Sequence, residues 1–203
     1  TNHSPFHSTE GSENPRVTDI TMGYETLENN RSKRFEEMLK PLNKVNYEDF
    51  KRIKFSRQFP SNFYFPYTID TLFLLDETKY TDIADLISNL KTWDKIGNAE
   101  SVGAGTFFMV THTVYDNRAL YLKQKTITEN QAVEILRAAK NKMLTSFNRT
   151  NLQLGDIQKL VRGIMVLPLP GLPDVLAPMY SIPYKDGMYK GNQGDAYIEL
   201  VRF

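Results

Sequence analysis

An asparagine in a proline-limited turn stands near the start of the chain, in Thr1-Asn2-His3-Ser4-Pro5-Phe6. A side-chain carboxamide is a neutral donor that does not titrate. Asn2 can therefore hydrogen-bond an oxygen that turns anionic during acyl transfer, at any working pH. Asn and Ser ahead of Pro are also ordinary turn formers, and on these residues alone a plain turn is the better reading. Thr1 offers a second chemistry, a hydroxyl activated by its own α-amine with Lys33 nearby in sequence. Such a nucleophile opens a strand, whereas residues 2 to 15 read as turn and loop, which argues against it.

The remaining reactive side chains exclude more than they offer. His3 and His7 lie four apart, but Pro5 stands between them and no carboxylate pattern accompanies them, so no metal site is expected. His112, inside an apolar run, reads as a hydrogen-bonded core residue. There is no G-x-S-x-G and no P-loop, and Gly103-Ala104-Gly105 lacks the third glycine of a dinucleotide fingerprint; no cofactor is expected. The absence of Cys excludes disulfides, thiolate metal sites and Cys nucleophiles without fixing the compartment. With 25 basic and 24 acidic residues and no basic stripe, the chain is not expected to bind nucleic acid.

No stretch approaches the ~18 apolar residues of a membrane span, and the first fifteen residues carry no charged-then-apolar leader. For a C-terminal piece of a longer precursor, that says nothing about export. A start at Thr1 with no Met is read as the result of processing or as an arbitrary boundary of the piece.

The elements that would position these residues follow from periodicity. A chain of 203 residues, 40% hydrophobic and 12% aromatic, suffices for a sizeable core. Residues 6 to 19 read as loop. Asn29 or Asn30 caps a helix with Phe35, Met38, Leu39 and Leu42 on its apolar face and Pro41 near its end. Arg31 falls in its first turn, where a cation opposes the helix dipole and asks for a reason. A solvated pair with Glu28 or Glu36, worth under about 1 kcal/mol, is the plain one.

A short helical stretch at 47 to 55 precedes Phe59-Pro60-Ser61-Asn62-Phe63-Tyr64-Phe65-Pro66-Tyr67, which either lines an apolar acyl pocket or anchors a connector to the core. Thr81 or Asp82 opens a helix with Ile83, Leu86, Ile87, Leu90 and Trp93 on one face. Residues 107 to 114 look like a strand by type, yet Val102, Thr106, Met109, Val110 and Thr113 also form a helical stripe, and periodicity does not decide. Thr128 to Gln131 forms a capping box for a helix with Ala132, Leu136, Ala139, Met143 and Phe147 inward. Residues 162 to 173, rich in Pro and Gly, read as an extended surface connector. Residues 197 to 203 read as a strand covered on both faces.

Several of these segments, in order, resemble the penicillin acylase family of N-terminal nucleophile hydrolases, in the branch of acyl-homoserine-lactone and aculeacin-type acylases. The resemblance rests on residues 1 to 6, Glu13-Asn14-Pro15, Asn30-Arg31-Ser32-Lys33-Arg34, Leu90-Lys91-Thr92-Trp93-Asp94 and Ser101-Val102-Gly103-Ala104. It continues in Leu154-Gly155-Asp156, Arg162-Gly163, Leu167-Pro168-Leu169-Pro170-Gly171, Pro173-Asp174-Val175-Leu176 and Gly194-Asp195-Ala196-Tyr197. Residues 43 to 80 are unmatched.

The resemblance implies an α+β fold, the C-terminal portion of an αββα sandwich, mostly helical in the middle with core β-strands at the C-terminal end. One region spans 1 to 203: a loop to 27 carrying the oxyanion Asn, a helical part from 28 to 150, and an extended connector with core strands from 151 to 203. It also decides residues 101 to 118 in favour of helix. In the family a Ser freed by self-cleavage of a precursor attacks an amide carbonyl, with its own α-amine as base. Asn2 matches the oxyanion donor, and Arg31 the residue that holds that Asn and the surrounding network.

No Ser in a family-like setting opens this chain, so the resemblance implies a C-terminal piece of a β-chain whose nucleophile lies elsewhere, inactive alone. The implied partners are the rest of the β-chain, the α-chain of the same precursor and a small N-acyl substrate, in the periplasm or outside the cell. A non-catalytic binding or scaffold module with the same helical frame is the alternative.

Overall fold

The computed structural model describes residues 4–7, 11–16, 21, 23, 26, 28–65, 68–195 and 198–202. Within them the chain is helical up to Ile157 and then turns into a four-stranded sheet, so the fold is α+β.

Capping and periodicity account for the helices. α1 (Asn30–Leu39) begins at Asn29, whose side chain accepts from the Ser32 backbone at 2.9 Å. α2 (Tyr47–Lys54) opens on a capping box between Asn46 and Asp49. α3 (Thr71–Leu74) is a single turn, and α4 (Ala84–Thr92) follows a 3₁₀ turn at Thr81–Ile83. α5 (Val102–Asp116) is capped by the Ser101 hydroxyl, and α6 (Arg118–Gln124) follows it directly. α7 (Glu129–Phe147) carries the expected capping box, with Gln131 Oε1 accepting from the Thr128 backbone at 3.0 Å. α8 (Leu154–Ile157) leads into the sheet.

The core lies where α5 packs between α4 and α7. Ile83, Leu86, Ile87 and Leu90 from the α4 side and Ala132, Leu136, Ala139 and Met143 from α7 are all buried, as the stripes required. α5 is buried on most of its circumference, from Ala104 to Val110 and again at Thr113 and Val114. This explains why it has no clean stripe: a helix covered on several sides is apolar all round. The segment at 59–65 anchors to this core, with Phe59 stacked on Phe63 at 4.6 Å and Trp93 against Phe107 at 4.5 Å between ring centroids. These rings fill space against one another.

The sheet runs in the order β2-β1-β4-β3. β1 (Gln158–Arg162) and β2 (Met165–Pro168) form an antiparallel hairpin. β3 (Met179–Pro183) pairs antiparallel with β4 (Tyr189–Gly194), and β4 lies parallel to β1. The surface connector expected over 162 to 173 is therefore partly a hairpin. Gly163 at φ 57 turns it, Ile164 is fully exposed at the tip, and Pro168 is tolerated because β2 is an edge strand.

The expected core character of the strands is also corrected. β2 is exposed along its length, and in β1 only Gln158 is buried. The covered strand expected at 197 to 203 does not form at 198–202, where the chain is irregular and Ile198 and Val201 are exposed; Tyr197 and Phe203 lie outside the described residues. β4 is already flanked by β1 and β3. Beyond Gly194 the chain leaves the sheet, and Asp195 pairs with Lys54 at 2.6 Å. Apolar residue types alone do not make a strand where the chain is not laid along a neighbour.

α1 needs one correction. Met38 is buried, but Phe35 is 41% exposed and Leu42 lies past the helix end. The inward face at the start of α1 is polar instead, because Asn30 is the residue turned inside.

Candidate functional site

Asn30 is 2% exposed, and its side chain ties three segments together. Its Oδ1 accepts from the Tyr64 backbone N–H at 2.6 Å, and its Nδ2 donates to the Tyr64 carbonyl and to Asp174 Oδ2, both at 2.9 Å. The Asn30 backbone N–H donates to the same Asp174 oxygen at 3.1 Å. A first-turn N–H has no partner within its own helix, so an acid arriving from elsewhere satisfies it.

Arg31 stands beside this knot, its Nε 3.4 Å from the other Asp174 oxygen, Oδ1. The cation in the first turn of α1 thus has its reason in a carboxylate supplied from 143 positions further along. Glu28 meets Lys33 at 3.7 Å and His7 Nδ1 at 4.0 Å. Burial pushes the Asp174 carboxyl up, and the Asn30 amides and the Arg31 guanidinium pull it back toward the ionised form.

The loop that carries Asp174 is pinned from several directions. Leu172 and Val175 on either side are buried. Backbone bonds join Gly171 N–H to the Gly97 carbonyl at 2.7 Å and Ala177 N–H to the Ser56 carbonyl at 2.9 Å. Asp174 itself takes φ 57, a conformation that Asp and Asn accept more readily than most residues.

Of the residues singled out by sequence, Arg31 is thus placed beside a half-buried carboxylate. Asn2 lies outside the described residues, as do Thr1 and His3. The neighbouring turn is described in part. Pro5–His7 is a 3₁₀ turn, and the fully buried Ser4 accepts from the Phe6 N–H through its hydroxyl at 3.2 Å.

His112 departs from expectation. It makes no hydrogen bond to a described residue and is stacked instead, 4.4 Å from both the Phe108 and Tyr189 rings. Desolvation there lowers its pKa to about 4, opposed by Asp116 and helped by Lys142.

Sequence reasoning offered Asn30 only as a possible cap and a motif member, and passed over Gln158. Gln158 is fully buried at the start of β1, donating to the Leu169 and Gly171 carbonyls at 2.9 and 2.8 Å and accepting from the Ser181 hydroxyl at 2.6 Å. A polar residue at the mouth of a strand gives no periodic signal. Among the described residues no cluster of His, Asp and Glu is arranged to hold a metal. A shallow depression of about 290 Å³ beside α1 is lined by Glu28, Lys33, Glu36, Glu37 and Lys40 together with Pro60 and Asn62.

No model of a known protein family matches the chain, and no curated protein matches it either.

Proposed function

We propose that this chain is the C-terminal part of the β-chain of a penicillin-acylase-type hydrolase, with the strands and helices of an αββα sandwich completed by segments beyond it. The observation that carries the reading is the meeting of Arg31 and Asp174 at 3.4 Å. Two of the quoted motifs, Asn30-Arg31-Ser32 and Pro173-Asp174-Val175, are far apart in sequence, and their charged members are in contact.

In this reading the α-amine of an N-terminal Ser on another segment takes the hydroxyl proton as Oγ attacks the amide carbonyl of an N-acyl substrate. Asn2 donates its side-chain N–H to the oxyanion that forms. The oxyanion collapses, the C–N bond breaks, and the amine leaves with the proton. Water then attacks the acyl-enzyme and releases the carboxylic acid. Arg31 holds Asn2 for that task and touches no reacting atom itself. The reaction class is amide hydrolysis in a periplasmic or secreted enzyme matured by self-cleavage.

The test is kinetic. The full-length precursor, wild type and Asn2→Ala, is assayed on amides with aromatic, medium-chain and long-chain acyl groups. Loss of one oxyanion donor should lower kcat by about 10² to 10³ with little change in KM. Unchanged kcat would remove Asn2 from the mechanism. No hydrolysis by processed wild-type protein would favour a non-catalytic module.

A further inference from the structure

The β1–β2 hairpin is apolar on both faces, and its apolar residues are left in water. Ile164 is fully exposed at the tip, and Met165, Val166 and Leu167 behind it are exposed as well. Side chains alternate along a strand, so Met165 and Leu167 lie on one face and Val166 on the other. Leu160 and Val161, paired with Leu167 and Val166, extend both faces and are only half-buried. β1 meets β4 at Gln158 and Lys159 alone, so from Leu160 onward the hairpin has no further strand beside it. A two-stranded arm of this kind cannot bury its own apolar surface.

The cations of the arm carry the second observation. Lys159 lies across from Lys190 in the β1–β4 register, and Arg162 faces Met165 next to the tip. Neighbouring like charges repel, and an anion between them relieves the repulsion. From Gln158 to Gly194 the only acids in the sequence are Asp174 and Asp186. Asp174 is engaged by Asn30 and lies against Arg31. Asp186 sits in the turn before β4, at the opposite end of the sheet from Ile164, since β4 runs parallel to β1. Among the described residues Lys159, Arg162 and Lys190 have no acidic partner. Arg162 reaches only the Val161 carbonyl, at 3.4 Å.

We infer that the hairpin is an interfacial anchor: Ile164 and its apolar neighbours enter an anionic lipid surface, and Arg162, Lys159 and Lys190 meet the headgroup phosphates. A protein layer laid over both faces would enclose cations that have no partner, which is costly. A bilayer interface takes the apolar tip and leaves the cations among phosphates. Lys159 and Lys190 stand about 10 Å behind Arg162 along the strands, and their long stems reach toward the headgroups when the tip sinks about 5 to 10 Å. Entry is shallow, because the outer edge of β2 keeps backbone groups that need water or phosphate as partners. The inference is independent of the acylase reading and requires that the hairpin stay outside the segments that complete the fold.

The full-length protein is sedimented with vesicles of phosphatidylcholine alone and with vesicles of phosphatidylcholine and phosphatidylglycerol in equal parts. Wild type should bind the anionic vesicles about tenfold or more tightly than the neutral ones, and salt should weaken that binding. Ile164→Asp should weaken it about tenfold or more, and Lys159→Gln and Lys190→Gln about fivefold each, with Tm close to wild type. In a background without other Cys, an environment-sensitive fluorophore on Ile164→Cys should shift to the blue only when anionic vesicles are added.

No binding by wild type, equal binding to both vesicles, or binding that survives Ile164→Asp overturns the anchor. A fluorophore already shifted before vesicles are added, or an Ile164→Asp protein that fails to fold, overturns it by showing the hairpin covered by another segment. Concentration-dependent dimers abolished by Ile164→Asp, in place of vesicle binding, overturn it in favour of a second copy. None of these readouts involves amide hydrolysis, so the acylase reading stands or falls separately.

Discussion

Asn30 donates both its backbone N–H and its side-chain Nδ2 to one oxygen of Asp174, across 144 residues of chain. The first turn of α1 is thereby closed by an acid from the loop that follows the β1–β2 hairpin. The arrangement resolves an apparent conflict, because the Arg31 cation at the helix start is offset by the carboxylate its neighbour recruits.

Removing the Asn30 side chain should be costly, because the site is nearly closed to water. Asn30→Ala deletes three hydrogen bonds and leaves the Tyr64 backbone and Asp174 short of partners, an expected loss of about 3 kcal/mol in urea unfolding. Asn30→Asp keeps the volume but sets a second carboxylate where Nδ2 lay 2.9 Å from Asp174. It should cost more than Ala at pH 7. The sign with pH is fixed: two facing carboxylates raise each other's pKa, so stability returns as the pH falls and one of them takes a proton. Asn30→Asp equal to or milder than Asn30→Ala at pH 7 would refute the contact.

His112 sets a second pH dependence. Its folded pKa of about 4 lies below the ordinary 6.5, so the folded state favours the neutral ring. Its contribution is complete above pH 6.5 and is lost as the pH falls toward 4, by up to about 3 kcal/mol at about 1.4 kcal/mol per unit. His112→Phe keeps the stacking on Phe108 and Tyr189 and removes the titration. Unfolding free energies between pH 7 and 4.5 should then decline less steeply than in wild type. The raised Asp174 carboxyl acts in the opposite sense, but equally in both proteins. Equal slopes would show that the ring is not desolvated.

Gln158 offers a test of the sheet. Gln158→Leu fits a long apolar side chain into a buried place but leaves the Leu169 and Gly171 carbonyls without its amide donor and Ser181 without its acceptor. Each unpaired buried group costs about 1 to 3 kcal/mol, so a loss of about 3 kcal/mol or more is expected in urea unfolding. A near-neutral result would mean that the sheet relaxes to admit water.

Elements whose signal is local were legible in the sequence. Asn29, one of the two caps offered for α1, and Thr128 cap their helices, and the stripes of α4 and α7 are the buried ones. The β-structure of the C-terminal part was expected, but the positions of its strands were missed because β1 and β4 mix Gln, Lys and Gly with apolar residues and are only partly covered. Their signals lay in the turns. Asp186 and Gly187 both take positive φ between β3 and β4, the pair that a tight hairpin favours, and Gly163 does the same between β1 and β2. The tail at 198–202 misled because composition reports burial and not pairing. At the site, Arg31 was marked by its unfavourable place in the helix dipole and by the resemblance. Nothing local could point from it to Asp174, since a contact across the whole fold leaves no periodic trace.

Two glycines should respond to Ala for different reasons, and the contrast tests how α5 is seated. At Gly105 a Cβ would collide with the Leu152 carbonyl oxygen and lie 3.0 Å from the Gln153 carbonyl carbon, so α5 would have to move off the chain leading into α8. Ala gains up to about 1 kcal/mol in helix propensity, but displacing a buried helix costs more, and a net loss of about 2 to 3 kcal/mol is expected. At Gly163 nothing lies within 4 Å of the added carbon, and the cost comes only from φ 57 at an exposed turn, about 1 kcal/mol. Thermal unfolding of both variants separates the effects. Were Gly105→Ala no worse than Gly163→Ala, the close approach of α5 to Leu152 would not exist in solution, and the stiff seat it gives the core would have to be sought elsewhere.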